Sequence, residues 1–172
     1  VYSARVSNVG PTRALAAAEG PSRATIYKEV LDFREGWKAR EELAQWVAAD
    51  ERDLPDPVNQ VPPQIYDLDA APYESLMLGL FAIWRGPENK DVKDRAKRNE
   101  IVLGYSRDGF HWDRPDRTPF IGVSEKRGDW NWGNVQSAGG CCLVVGDQIY
   151  FYVSGRSGVQ GSPASGTSAT GL

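Results

Sequence analysis

The chain has 172 residues, 41% of them hydrophobic, which suffices for one ordinary domain with a true core and excludes a disordered chain. Its 20 basic and 23 acidic residues give a net charge of -3, without the one-sided basic footprint of a nucleic-acid binder, so no nucleic-acid partner is expected. No run approaches the ~20 apolar residues of a membrane-spanning helix; Leu76 to Trp84 is short and contains Gly79, so no membrane partner is expected.

Six tryptophans and 18 glycines with few helical periods predict an all-β chain with many turns. Residues 1–24 read as a loosely structured lead-in punctuated by Pro11, Gly20 and Pro21, with a helical turn open over Thr12 to Ala18. Trp37 to Ala49 is rich in Ala, Glu and Leu, which keeps a helix available there as a local option. From Asp50 to Gln64, four prolines and four acids exclude a central strand and predict a long exposed loop. Two apolar strands follow, Gln64 to Ala70 and Leu76 to Trp84, turned through Ala71-Pro72.

The mixed-charge run from Arg85 to Glu100 has no apolar period and reads as a solvated excursion. Asn99 to Ser106 returns as a β-branched strand, and Asp108-Gly109 turns it into Phe110-His111-Trp112. A last pair, Asn134 to Val145 and Gln148 to Gly155, is linked by Gly146-Asp147. Cys141 and Cys142 are adjacent and point to opposite faces of an extended chain, so they read as small buried residues with no disulfide framework. With His111 as the single histidine, a His/Cys zinc site is close to excluded and no metal ligand is assigned.

Two landmarks repeat at one offset: Gly36 to Gly109 is 73 positions, and so is Leu78 to Phe151. A repeat of that length built from short antiparallel strands fits β-propeller blades with long loops, each blade being a four-stranded sheet that needs a neighbour on both sides. The expected organisation is a lead-in (1–24), a partial propeller of about two blades (25–158) and a flexible tail (159–172). Two blades leave faces uncovered, so the chain is expected to be a piece of a longer one.

Ser106 to Trp112 (SRDGFHW) resembles the turn repeated in glycosidase-type propellers and looks like a shortened sialidase Asp-box, with Asp108 as the turn stabiliser and Gly109 supplying the positive φ. PYESLMLGLF, NEIVLGYSRDGFHW and DQIYFYVSG, in this order over residues 60–158, look like the five-bladed propeller superfamily of glycoside hydrolases related to families 32, 43, 62, 68 and 130. The resemblance implies antiparallel four-stranded blades, a carbohydrate substrate, funnel-lining carboxylates on inner strands and a secreted or periplasmic location. No cofactor is implied, and calcium is left open.

Glycoside cleavage needs one carboxylic acid to protonate the leaving oxygen and one carboxylate as base or nucleophile. Asp67 and Asp69 alternate onto one face of their strand, and Glu74 stands between Tyr73 and Leu76, where partial desolvation would suit a general acid. These three are the candidate catalytic residues. Asn134 and Gln136, again two apart, fit sugar hydroxyls, and Trp130 and Trp132 offer ring faces in the densest aromatic-polar segment. Arg85 and Arg156 each close an aromatic strand, 71 positions apart, and read as funnel-rim residues for an anionic sugar or phosphate. The expected activity is glycoside hydrolysis; a non-catalytic carbohydrate-binding propeller and a phosphate-dependent glycoside phosphorylase are the alternatives.

Overall fold

The computed structural model describes residues 2–5, 24–28, 32, 34, 44–88, 91, 97–157 and 168–172, and the twelve elements among them are all strands. The chain is all-β. β1 (Tyr2–Arg5), β2 (Ala24–Lys28) and β3 (Ala44–Ala48) form one antiparallel sheet in chain order. β4 (Gln64–Tyr73), β5 (Leu76–Trp84), β6 (Asn99–Ser106) and β7 (Trp112–Asp113) form a second antiparallel meander. β8 (Asn134–Ser137), β11 (Val153–Arg156) and β12 (Ser168–Gly171) form a third meander, which continues the same sheet beyond β6 through one parallel pair, Asn99 with Asn134. Between them β9 (Leu143–Val145) and β10 (Gln148–Tyr150) make a separate two-stranded ribbon turned at Gly146, which has φ 63°.

Several local readings change. The lead-in contributes β1 and the expected tail contributes β12, because pairing with β2 and β11 supplies what their own sequences do not signal. Thr12 to Ala18, Gly36 and residues 37–43 lie outside the described residues, but Ala44 to Ala48 is strand, not helix. Its Val47 is buried against the next sheet, so packing overrides the weak helix propensity. The β4–β5 turn is at Glu74-Ser75, not at Ala71-Pro72: β4 runs on to Tyr73, and it is an edge strand, where a missing N–H is tolerated. Gln148 to Gly155 is split, β10 pairing with β9 and β11 with β8.

The central meander is apolar on both faces, which is why β5 reads as a near-continuous run, LMLGLFAIW, without alternation. On one face Leu68, Phe81, Ile83 and Val102 pack with Val47 and Trp46 of β3 and with Trp112. On the other, Leu80 and Ile101 pack with Val135 of β8, Val153 of β11 and Cys141. β8 reaches that face because it leaves the edge of β6 after the Asn99 pair, where the Ile101 N–H turns to the Ile121 carbonyl instead (3.0 Å). Gly79 is required by this packing, since a Cβ there would stand 2.6 Å from the Trp112 ring. Burial also fixes Cys141, whose thiol pKa is pushed up to about 12 by desolvation and by Cys142, leaving a protonated, inert sulfur at neutral pH.

The acidic loop before β4 is not simply exposed: Asp53 and Asp56 are buried. Arg114 grips Asp53 with both ends of its guanidinium (2.8 and 2.9 Å), and Arg117 holds Asp50 in the same way (2.8 and 2.9 Å) while also reaching Asp53 (3.0 Å). The Asp53 side chain is 0% exposed and that of Arg114 5%, so this network clamps the loop to the segment after β7.

The Asp108-Gly109 turn is as expected. Asp108 Oδ1 accepts the N–H groups of Phe110 and His111 (both 2.8 Å), and Gly109 has φ 79°. The Gly109 carbonyl accepts two indole N–H groups, from Trp46 (2.7 Å) and Trp112 (3.0 Å), tying the turn to the first face of the core. His111 Nδ1 lies 2.6 Å from Asp108 Oδ2, which raises the imidazole pKa and holds the carboxyl well below the usual range. The imidazole's contribution to stability is therefore full below its unfolded value of about 6.5 and fades as pH rises through the raised folded value. Proton titration followed by NMR is expected to give His111 a higher midpoint in the parent chain than in Asp108→Asn; equal midpoints would exclude the pair in solution.

Candidate functional site

One end of the strands gathers the polar side chains. The registers align Gln64 with Trp84, Trp84 with Asn99, Asn99 with Asn134, Asn134 with Arg156 and Arg156 with Ser168. Six strands thus present a continuous row of hydrogen-bonding side chains along one end, made by the starts of β4, β6, β8 and β12 and the finishes of β5 and β11. In the middle of it, Trp84 Nε1 and Asn99 Oδ1 are buried without a hydrogen-bond partner among the described residues. Leaving such a group unpaired costs about 1–3 kcal/mol, so each calls for a water or a ligand atom as partner.

Beside this row opens a cleft of about 130 Å³, lined by Asp56, Asn59, Arg98, Glu125, Trp132 and Gly133 among others. Its rigidity comes from Arg98. One end of that guanidinium donates to Glu125 Oε1 (2.8 Å) and lies 3.5 Å from Asp56, while the other donates to Glu100 Oε1 (2.9 Å). Burial works against the Arg98 charge, and the carboxylates of Glu100 and Glu125 more than offset it, holding its pKa above the ordinary value. Asp56 caps the loop, its Oδ1 accepting the N–H groups of Val58 (2.9 Å) and Asn59 (2.8 Å). Glu125, by contrast, is 79% exposed, so its carboxylate is presented to solvent. The Arg127 guanidinium stands 5.7 Å from the centre of the Trp132 ring.

The sequence-selected residues divide sharply. Trp132 lines the cleft; Asn134 and Arg156 belong to the polar row, where the Asn134 amide donates to the Lys97 carbonyl (3.4 Å) and Arg156 is exposed. Trp130 instead lies flat on the third meander, so close that a Cβ at Gly155 or Gly171 would stand 2.4 Å from its ring. Gln136 sits opposite Ser154, one turn of the strand pleat further from the row. Arg85 is no rim residue: it is buried, 3.4 Å from Glu100, with a hydrogen bond to the Leu54 carbonyl. Asp67 and Asp69 face Ala82 and Leu80 on one side of β4, about 6.7 Å apart along the strand. Glu74 is exposed in the turn at the far end with φ 50°, about 16 Å along the chain from Asp69. It stands beyond the strand that carries the two aspartates.

No protein family, curated protein or solved structure matches the chain. Its chemistry is therefore read from the geometry alone. Among the described residues, no group of three or more His, Cys, Asp or Glu is placed to hold a metal ion, and no helix is long and apolar enough to cross a membrane. The sheet end offers hydroxyl-sized donors and acceptors, one aromatic wall and exposed carboxylate oxygens.

Asp56, Arg98 and Glu125 were missed by sequence reasoning. One signal pointed to them. Glu100 is an acid within the apolar strand NEIVLGYS, and a buried carboxylate demands a cation, which Arg98 and Arg85 provide.

Proposed function

We propose that the chain is part of an exported, carbohydrate-active β-propeller of the glycoside hydrolase type, with Asp67 and Asp69 as its carboxylates. A central meander covered on both faces, by β3 on one and by β8 and β11 on the other, supports the blade reading, because a blade needs a neighbour on each face. β4 and β8 are then the inner strands of successive blades. The observation that carries the activity is the pairing of Asp67 and Asp69 onto one side of β4, about 6.7 Å apart along the strand.

In this reading one aspartate protonates the glycosidic oxygen and the other serves as base or nucleophile. Release of reducing ends from gluco-, xylo-, manno- and arabino-oligosaccharides tests it. Asp67→Asn and Asp69→Asn are each expected to lower kcat by about 10²–10⁴, the usual share of one general acid or base. Glu74→Gln is expected to stay within about twofold of the parent, since Glu74 stands beyond that strand. Hydrolysis that survives both aspartate changes would remove the assignment.

A second reading is a binding protein without turnover, in which Trp132 and the polar row hold sugar with no general acid. Binding of an oligosaccharide with no product in the same assay would select that reading. A phosphorylase is less well supported, because Arg85 is committed to Glu100.

A further inference from the structure

We infer that the cleft between the Asp56–Asn59 turn and the Ser124–Gly133 segment is a subsite for a single neutral sugar unit, selecting against anionic ones. The inference rests on the carbohydrate reading above and extends it to residues outside the β4 aspartates. Three features of the cleft point the same way.

The first is charge. Asp56, Glu100 and Glu125 surround Arg98 and Arg85, so three carboxylates meet two guanidiniums, while Arg127 stands apart against the Trp132 ring. Both guanidiniums are engaged by these carboxylates, so neither presents the open fork that a phosphate or a uronate requires.

The second is the distribution of acceptors. Glu125 uses Oε1 for Arg98, and its carboxylate is 79% exposed, which leaves acceptor capacity for ligand hydroxyls on an oxygen whose position Arg98 fixes. Asp56 has no such freedom, being 6% exposed and occupied by two backbone N–H groups. Glu125 is thus the hydroxyl-binding carboxylate and Asp56 a support for Arg98.

The third is size and wall. A volume of about 130 Å³ in a cleft open to solvent has room for one edge of a sugar ring. Trp132 supplies an apolar wall for ring C–H groups beside those acceptors.

Isothermal titration tests this with the 172-residue chain and its variants Glu125→Gln, Trp132→Ala and Asp67→Asn, each checked for an unchanged circular dichroism spectrum. The titrants are hexasaccharides of glucose, xylose, mannose and arabinose, a galacturonate hexamer and inorganic phosphate. At least one neutral hexasaccharide is expected to bind, and Glu125→Gln and Trp132→Ala are each expected to weaken it about tenfold or more, the size of one charge-assisted contact or one stacked ring. Galacturonate and phosphate are expected to leave that binding unaffected in competition. Neutral sugar that binds the parent, Glu125→Gln and Trp132→Ala equally, while Asp67→Asn weakens it, would overturn the subsite and spare the carbohydrate reading. Competition by galacturonate or phosphate that Glu125→Gln enhances would overturn the neutral preference. Absence of binding by every sugar would overturn the subsite and the carbohydrate reading together.

Discussion

Replacing Asp53 with alanine is expected to lower the stability of the fold by about 3–5 kcal/mol, the usual consequence of removing one partner of a buried ion pair. The Asp53 side chain is fully buried and accepts from both ends of Arg114 and from Arg117. Its removal strands the Arg114 guanidinium, itself 5% exposed, in an interior that cannot solvate it. Asp50 belongs to the same network, but its side chain is 46% exposed, so Asp50→Ala is expected to cost under about 1 kcal/mol. Urea titration of the two variants at an unchanged m-value separates these outcomes. Equal, small losses would mean that water reaches the clamp.

Phe81→Ala is expected to cost a similar amount, about 3–5 kcal/mol, for a different reason. Phe81 is 0% exposed at the centre of β5, its ring 5.4 Å from that of Trp112 in an edge-to-face arrangement. The absence of side chains at Gly79 and Gly104 lets it sit there, since a Cβ at Gly104 would come within 2.7 Å of its ring and one at Gly79 within 3.0 Å. Truncation leaves a cavity whose rigid strand walls cannot collapse into it. The Arg114 guanidinium stands 5.1 Å from the centre of the same ring, which links this prediction to the first. The double variant should therefore fall short of the sum of the single losses in the same urea titrations. Strict additivity would show that the cation and the ring do not communicate.

Local signals made part of this fold legible. The uninterrupted apolar run of β5, the β-branched β6 and the Asp108-Gly109 turn declare themselves because each depends on neighbours in sequence. β1, β3 and β12 do not, since what makes them strands is a partner supplied from elsewhere: β2 for the first two, β11 for the last. Pro72 was misread as a turn because an unpaired edge accepts a residue that a central strand would expel. Where the selected side chains go was less legible. Trp130 and Trp132 look equivalent in sequence, but the turned backbone between Lys126 and Trp132, bonded Asp129 to Lys126 (3.2 Å) and Trp132 to Asp129 (3.0 Å), sends one to the third meander and the other to the cleft. Arg85 looked like a rim residue because charge at a strand end is usually solvated; the buried Glu100 draws it inward instead.

The repeat offset behaves similarly. Shifting by 73 positions carries Leu80 of β5 onto Val153 of β11, and both belong to one core cluster. Across the inner strands, however, Phe81 faces Leu68 and Ser154 faces Gln136, so the amide at Gln136 corresponds to Leu68, not to Asp67 or Asp69. A difference in loop length between the strands accounts for this, as the connection from β8 to β11 holds the whole β9–β10 ribbon.

Mapping of backbone amide shifts during titration with the neutral hexasaccharides tests the central claim, that sugar is met at the end of the sheet where the polar row and the cleft lie. The account predicts that the signals of Gln64, Asn99, Glu125, Trp132, Asn134 and Arg156 move together and saturate at one ligand concentration. Shifts confined to the opposite end, around Glu74-Ser75 and Asp108-Gly109, or no shifts with any of the sugars, would contradict it.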